Sequence, residues 1–171
     1  MSLERDEAHL NAWQQREALA EQILPLCGTL YREHALVVAV FGTSLVQKGP
    51  IEIIRTFDEA QKIAGEHLSM TNAVTLLQTM HDMPLGRSRV DIGKLLVRFR
   101  KSGGSDLGSW AREALAPLAE AGKNLPSEAQ DVVLYGFGRI GRLVARILIN
   151  KTGGGDKYRL RAIVLRPSAK G

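Results

Sequence analysis

Six consecutive residues, Gly136-Phe137-Gly138-Arg139-Ile140-Gly141, carry the most legible chemistry in this sequence. Their three glycines stand in the spacing G-x-G-x-x-G. Gly136 can take a tight turn after a strand, Gly138 can leave the backbone bare for close approach of a pyrophosphate, and Gly141 can let the following helix lie against that strand. Such a helix offers its unpaired N–H groups and the positive end of its dipole to the phosphates. A chain with 17 glycines can also produce this spacing as a plain turn. Its meaning therefore depends on the flanking elements.

Other reactive residue types do not fall into a usable arrangement. Cys27 is the one cysteine, so it has no second thiol for a disulfide or a metal site. Its place beside Pro25 in an amphipathic stretch reads as a small buried residue rather than a nucleophile. Gly42-Thr43-Ser44-Leu45-Val46 lacks the last glycine of a nucleophile elbow. The histidines His9, His34, His67 and His81 are never four apart, so no zinc pair is expected on a helix face and no metal site is assigned. Lys151-Thr152-Gly153-Gly154-Gly155 has the wrong order for a P-loop and reads as a helix cap and connector.

The elements that must position the glycines follow from periodicity. Asp131–Tyr135 is short, apolar and β-branched, Ile140–Ile149 is an apolar helix, and Tyr158–Leu165 is a second strand. Strand, glycine turn, helix and strand make a βαβ unit, so residues 131–171 read as the beginning of a Rossmann-type α/β dinucleotide-binding fold, left incomplete at Gly171. Gly122–Gln130 reads as a linker, and residues 1–121 read as a mostly α region without internal repeats.

Within that region Leu3, Leu10, Trp13, Ala20 and Leu24 predict a first helix that kinks or ends near Pro25. Leu36–Phe41 could be a buried strand or a buried helix. Pro50 to about Ala64 is expected to be helical, with Ile51, Ile54, Phe57 and Gln61 on one face. Another helix is expected from Ser69 or Thr71 to His81, with Val74, Leu77 and Met80 inward. Ser88 and Asp91 resemble a capping box opening a helix to Arg100 with Ile92, Leu96 and Phe99 buried, and a last helix is expected near Ser109–Glu120.

The wording of the glycine motif is more specific than its spacing. VVLYGFGRIGRLVARILIN resembles the amino terminus of the glyceraldehyde-3-phosphate dehydrogenase catalytic subunit, a likeness covering Asp131 to about Pro167. The helical part resembles the extended bacterial form of that enzyme in LYREH, FGTSLVQK and RSRVDIGKLLVRF. The resemblance implies NAD or NADP as cofactor, with backbone at Arg139 and Ile140 against the pyrophosphate. It also implies glyceraldehyde 3-phosphate as substrate, 1,3-bisphosphoglycerate as product, and a homotetramer. The family's catalytic cysteine comes later than Gly171, so the chain is expected to be an N-terminal fragment with part of the cofactor site, no catalytic residue and no activity by itself.

Two positions depart from the family pattern. Tyr135 stands where Asn usually precedes the glycines, and Leu165-Arg166-Pro167 stands where the family has Asn-Asp-Pro. Replacing the ribose-binding Asp with Arg166 removes a carboxylate that repels a 2′-phosphate and supplies a guanidinium that could bind one. NADP use follows from that reading, with Ser168 and Lys170 adding contacts; the other reading leaves Arg166 in solvent and the cofactor NAD.

A net charge of +5 is compatible with phosphate-bearing partners, and Arg87, Lys94, Arg98 and Lys101 fall at helical spacing. That face reads as solvated rather than nucleic-acid binding, because no aromatics interleave with it. The N-terminus MSLERDEAHL carries three acids and no apolar core, so a secretory signal, a membrane span and an extracellular location are not expected, and a cytoplasmic one is. The alternative to an enzyme fragment is a non-catalytic helical interaction or regulatory module.

Overall fold

The computed structural model describes residues 2–122, 130–151 and 158–165. Helix α1 (Ser2–His34) continues past Pro25 instead of ending there. Pro25 is exposed, so the carbonyl of Glu21 that loses its N–H partner faces water. The buried stripe of α1 is Ala20, Ile23, Cys27 and Leu30, packed on both sides of the proline's position. The expected stripe fails in the first half of the helix, where Leu10 is 56% and Trp13 41% exposed because residues 7–15 extend past the core. The side chain of Leu3 lies outside the described residues.

The ambiguous apolar run is strand β1 (Leu36–Val40), buried at all five positions. A tight turn at Phe41 and Gly42, with φ of +45° and +84°, returns the chain into β2 (Thr43–Ser44) antiparallel to β1. Helix α2 (Pro50–Ala64) starts where Gly49-Pro50 predicts, with the backbone N–H of Gly49 donating to Glu52 Oε2 at 2.9 Å. Its inward face carries Ile53, Ile54, Phe57 and Ala60, while Ile51 is on the solvent side. An ion pair between Arg16 and Asp58 joins α1 to α2. Helix α3 (Met70–His81) begins at Ser69, whose hydroxyl accepts from Asn72 N–H at 3.2 Å, and buries Val74, Leu77 and Met80 as expected.

Ser88 does not cap a helix. It opens strand β3 (Ser88–Asp91), which lies parallel to β1 in the register Leu36↔Ser88 to Ala39↔Asp91. Asp91 itself caps helix α4 (Ile92–Ser102), and its carboxylate accepts from Lys94 N–H at 3.1 Å, Phe41 N–H at 3.0 Å and Gly42 N–H at 2.8 Å. One side chain thus fixes the helix start and the β1–β2 turn together, which is why three-residue spacing to Ser88 misidentified the cap. Arg87 precedes β3 and therefore does not share a helix face with Lys94, Arg98 and Lys101. Arg98 lies over the Trp110 ring at 5.9 Å, on helix α5 (Leu107–Gly122).

The described helical region is thus α-rich with a three-stranded sheet in the order β2-β1-β3, and its apolar core draws on α1, β1 and α2 to α5. The boundary expected over Gly122–Gln130 falls almost wholly outside the described residues. Beyond it, strand β4 (Gln130–Tyr135), helix α6 (Arg139–Lys151) and strand β5 (Tyr158–Val164) match the expected elements within a residue or two, and β4 pairs with β5 in parallel. In this unit Ala145 is the one buried hydrophobic residue among the described positions. No helix in the described residues is long and apolar enough to cross a membrane.

Candidate functional site

The six-residue glycine run forms the turn from β4 into α6. Gly136 has φ +100°, a conformation that L side chains resist, and its N–H donates to Val164 O of β5 at 2.7 Å. The carboxyl ends of both parallel strands therefore meet at the turn, the position where open α/β sheets bind ligands. Helix α6 begins at Arg139, and the N–H of Arg142 reaches the carbonyl of Gly138 at 3.0 Å to close its first turn. The N–H groups preceding Arg142 have no intrahelical acceptor, so the turn has the polarity of an anion site.

The second and third glycines differ in what the fold asks of them. A Cβ on Gly141 would sit 2.5 Å from the carbonyl oxygen and 3.3 Å from the carbonyl carbon of Gly136. Both are backbone atoms that cannot rotate away, so the helix packs against the strand end only because residue 141 lacks a side chain. Among the described residues, a Cβ on Gly138 would meet no atom beyond its chain neighbours within 4 Å. Nothing in the described fold requires glycine there, whereas a pyrophosphate laid along the backbone would. The space beside the turn, about 500 Å³, is lined by Leu134, Tyr135, Arg139, Ile140 and Val144 together with the glycines. Phe137 and Arg139 are exposed and Ile140 is 79% exposed, so apolar as well as basic surface borders this space.

Arg166, Ser168 and Lys170, the residues expected near the ribose, lie outside the described residues. Asp131, at the start of β4, is held by Arg159 of β5, whose Nε donates at 2.7 Å, with Arg161 Nε 3.6 Å from its other oxygen. The hydrogen bond from Arg159 and the two guanidinium charges keep this carboxyl below the ordinary carboxylate range. It clamps the strand pair at the end remote from the turn.

Cys27 is 2% exposed, and burial pushes its thiol from the usual 9.0 up to about 12. A thiol in that state is neither ionised nor accessible, as expected for a packing residue. The histidines escaped sequence reasoning in one respect. His34 and His81, 47 positions apart in the chain, have their rings edge-on at a centroid distance of 5.9 Å. Spacing within one helix could not reveal a pair built from two helix ends.

No family model matches the chain. It is 40% identical over 151 residues to a glyceraldehyde-3-phosphate dehydrogenase-like protein of Pseudomonas aeruginosa (strain UCBPP-PA14), a match covering 86% of this chain and 33% of that relative. The chain thus spans about a third of the length of the curated relative it matches. A match of 151 residues is longer than the segment from Gln130 onward could supply, so the similarity takes in the helical region as well as the glycine turn.

Proposed function

We propose that the turn at Gly136–Gly141 binds the pyrophosphate of NAD or NADP, and that the chain is the N-terminal portion of a glyceraldehyde-3-phosphate dehydrogenase. In this reading residues 1–121 are a helical extension, 122–130 a linker and 131–171 the start of a Rossmann-type cofactor domain. The contrast between the two glycines carries the proposal: Gly141 is demanded by the fold, and Gly138 is left bare at a helix N-terminus with nothing among the described residues to explain it. Similarity to a dehydrogenase-like protein across both regions supports it.

The roles of the chain's own residues follow. Gly136 turns the backbone, Gly138 admits the phosphates, and the first-turn N–H groups of α6 around Arg139 and Ile140 donate to them, while Phe137 and Ile140 line the approach. Arg166 binds the adenosine-side phosphate of NADP, or tolerates its absence in NAD. When bound, the nicotinamide would supply the hydride acceptor for oxidation of the aldehyde of glyceraldehyde 3-phosphate, with inorganic phosphate as the co-reactant that yields 1,3-bisphosphoglycerate. The thiolate that such chemistry needs is not Cys27, which stays protonated and enclosed. Residues 1–171 therefore bind cofactor weakly and turn nothing over; the complete enzyme would be a cytoplasmic homotetramer.

Calorimetric titration with NAD and NADP into the millimolar range tests this reading in wild type, Gly138→Ala and Arg166→Asp. Gly138→Ala should weaken binding by about tenfold or more while leaving the circular dichroism unchanged, since about 1.4 kcal/mol corresponds to each tenfold step. Arg166→Asp should shift preference toward NAD. Wild-type affinity in Gly138→Ala would sink the assignment. A non-catalytic interaction module is the second reading, favoured by the uncovered Leu10, Trp13 and Leu24 on α1, and an absence of any dinucleotide binding would favour it.

A further inference from the structure

We infer that Glu33, His34 and His81 form a binding site for a divalent transition-metal ion with affinity for imidazole, of which Zn²⁺ is the representative. The site is independent of the glycine turn. His34 is the last residue of α1 and His81 the last of α3, two helices that pack on each other. Their convergence brings one donor atom each from Glu33, His34 and His81 within 4.8 Å of one another. Two neutral imidazole nitrogens and one carboxylate oxygen are a donor set of the kind that holds zinc with an open fourth position.

Metal–donor bonds of about 2.0–2.2 Å place donors around one ion roughly 3.3 Å apart, so the three atoms must close by at most about 1.5 Å. Glu33 and His81 are exposed and His34 is half-buried, so side-chain rotation can supply that movement without shifting either helix. Asp82, which follows His81 as the cap residue of α3, has Oδ1 3.7 Å from His81 Nδ1. A small rotation lets that carboxylate accept the Nδ1 proton and hold the ring so that its other nitrogen meets the metal, the usual outer partner of a metal-bound histidine.

The electrostatics point the same way. Two helix C-termini end at the site, and each carries the negative end of its dipole. With the exposed carboxylates of Glu33 and Asp82 they make this part of the surface negative. The nearest basic residue in sequence, Arg32, sets its guanidinium back over Gly28, one turn away along α1. Ala35, immediately after His34, has φ +51°, a left-handed conformation uncommon for a residue with a side chain, which stops α1 at the histidine and starts β1 one residue later. An ion here would tie the entrance of β1 to the end of α3, and so to the segment leading into β3, the parallel partner of β1.

The test uses the 171-residue chain without an affinity tag, stripped of metal and titrated with Zn²⁺ by calorimetry and with Co²⁺ by visible absorption near neutral pH. One ion per chain is expected, bound at micromolar concentration or below, with a rise in melting temperature. His34→Gln and His81→Gln should each weaken binding by about tenfold to a hundredfold, Glu33→Gln by about tenfold, and His67→Gln not at all. Wild-type imidazole ¹⁵N resonances should shift at His34 and His81 on zinc addition, a readout that does not depend on any variant folding. Absence of saturable binding below about millimolar zinc, binding that survives loss of both histidines, or imidazole shifts confined to His9 and His67 would overturn the assignment.

Discussion

Substituting Gly141 with alanine probes the packing of the glycine turn most directly. The added Cβ would stand 2.5 Å from Gly136 O, where an ordinary contact is about 3.4 Å, so the turn and α6 must separate by close to 1 Å. Overpacking of this kind costs about 1–3 kcal/mol, and alanine's better helix propensity returns up to about 1 kcal/mol. The net destabilisation is therefore about 1–2 kcal/mol, roughly a tenfold rise in local opening. Because most of the core lies in α1 to α5, global melting is a blunt readout, and hydrogen exchange at individual amides is the suitable one. The N–H groups of Gly136, bonded to Val164 O, and Arg142, bonded to Gly138 O, report on the turn itself. Both should lose about tenfold protection in Gly141→Ala, with amides of β1 and α3 unchanged, and neither should change in Gly138→Ala. Unaltered protection in Gly141→Ala, or an equal loss in both variants, would refute the assignment of Gly141 to packing and Gly138 to the ligand.

Asp91→Ala should destabilise the helical region by about 2–4 kcal/mol in urea unfolding, because it removes the α4 cap and two further bonds from turn N–H groups to one charged side chain. Cys27 should resist thiol reagents in the native protein at neutral pH. Its raised pKa means that its contribution to stability is complete below pH 9.0 and falls as pH rises toward about 12, so wild type should lose stability relative to Cys27→Ala over that window. The slope of that difference is bounded at about 1.4 kcal/mol per pH unit. For Asp131 the sign is opposite, since its pKa is lowered by Arg159. Extra exchange protection of β4 and β5 in wild type over Asp131→Asn should be present at neutral pH and vanish as pH falls through and below the carboxylate range.

The βαβ unit was legible because its signals are local. Strand runs, glycine spacing and an apolar helix lie within about forty residues, and each element was found within a residue or two of its place. The caps at Gly49-Pro50 and Ser69 were legible for the same reason. Errors arose where distant parts meet. Asp91 is a cap whose other partners are 49 and 50 residues away, and Ser88 is a strand residue only because β1 lies beside it. Leu10 and Trp13 have helical periodicity but stay exposed, since the core among the described residues begins further along α1.

The glycine turn, its flanking strands and helix, and the resemblance that its wording carries could all be read along the chain. Tertiary structure alone decided that Pro25 is tolerated, because its outward position leaves the orphaned carbonyl in water while Ile23 and Cys27 stay buried. It also distinguished the glycines, since only the distance from Gly141 to the Gly136 carbonyl shows which one the fold requires. And it joined His34 to His81, a neighbourhood created by two helices ending at one point, which no spacing along the chain encodes.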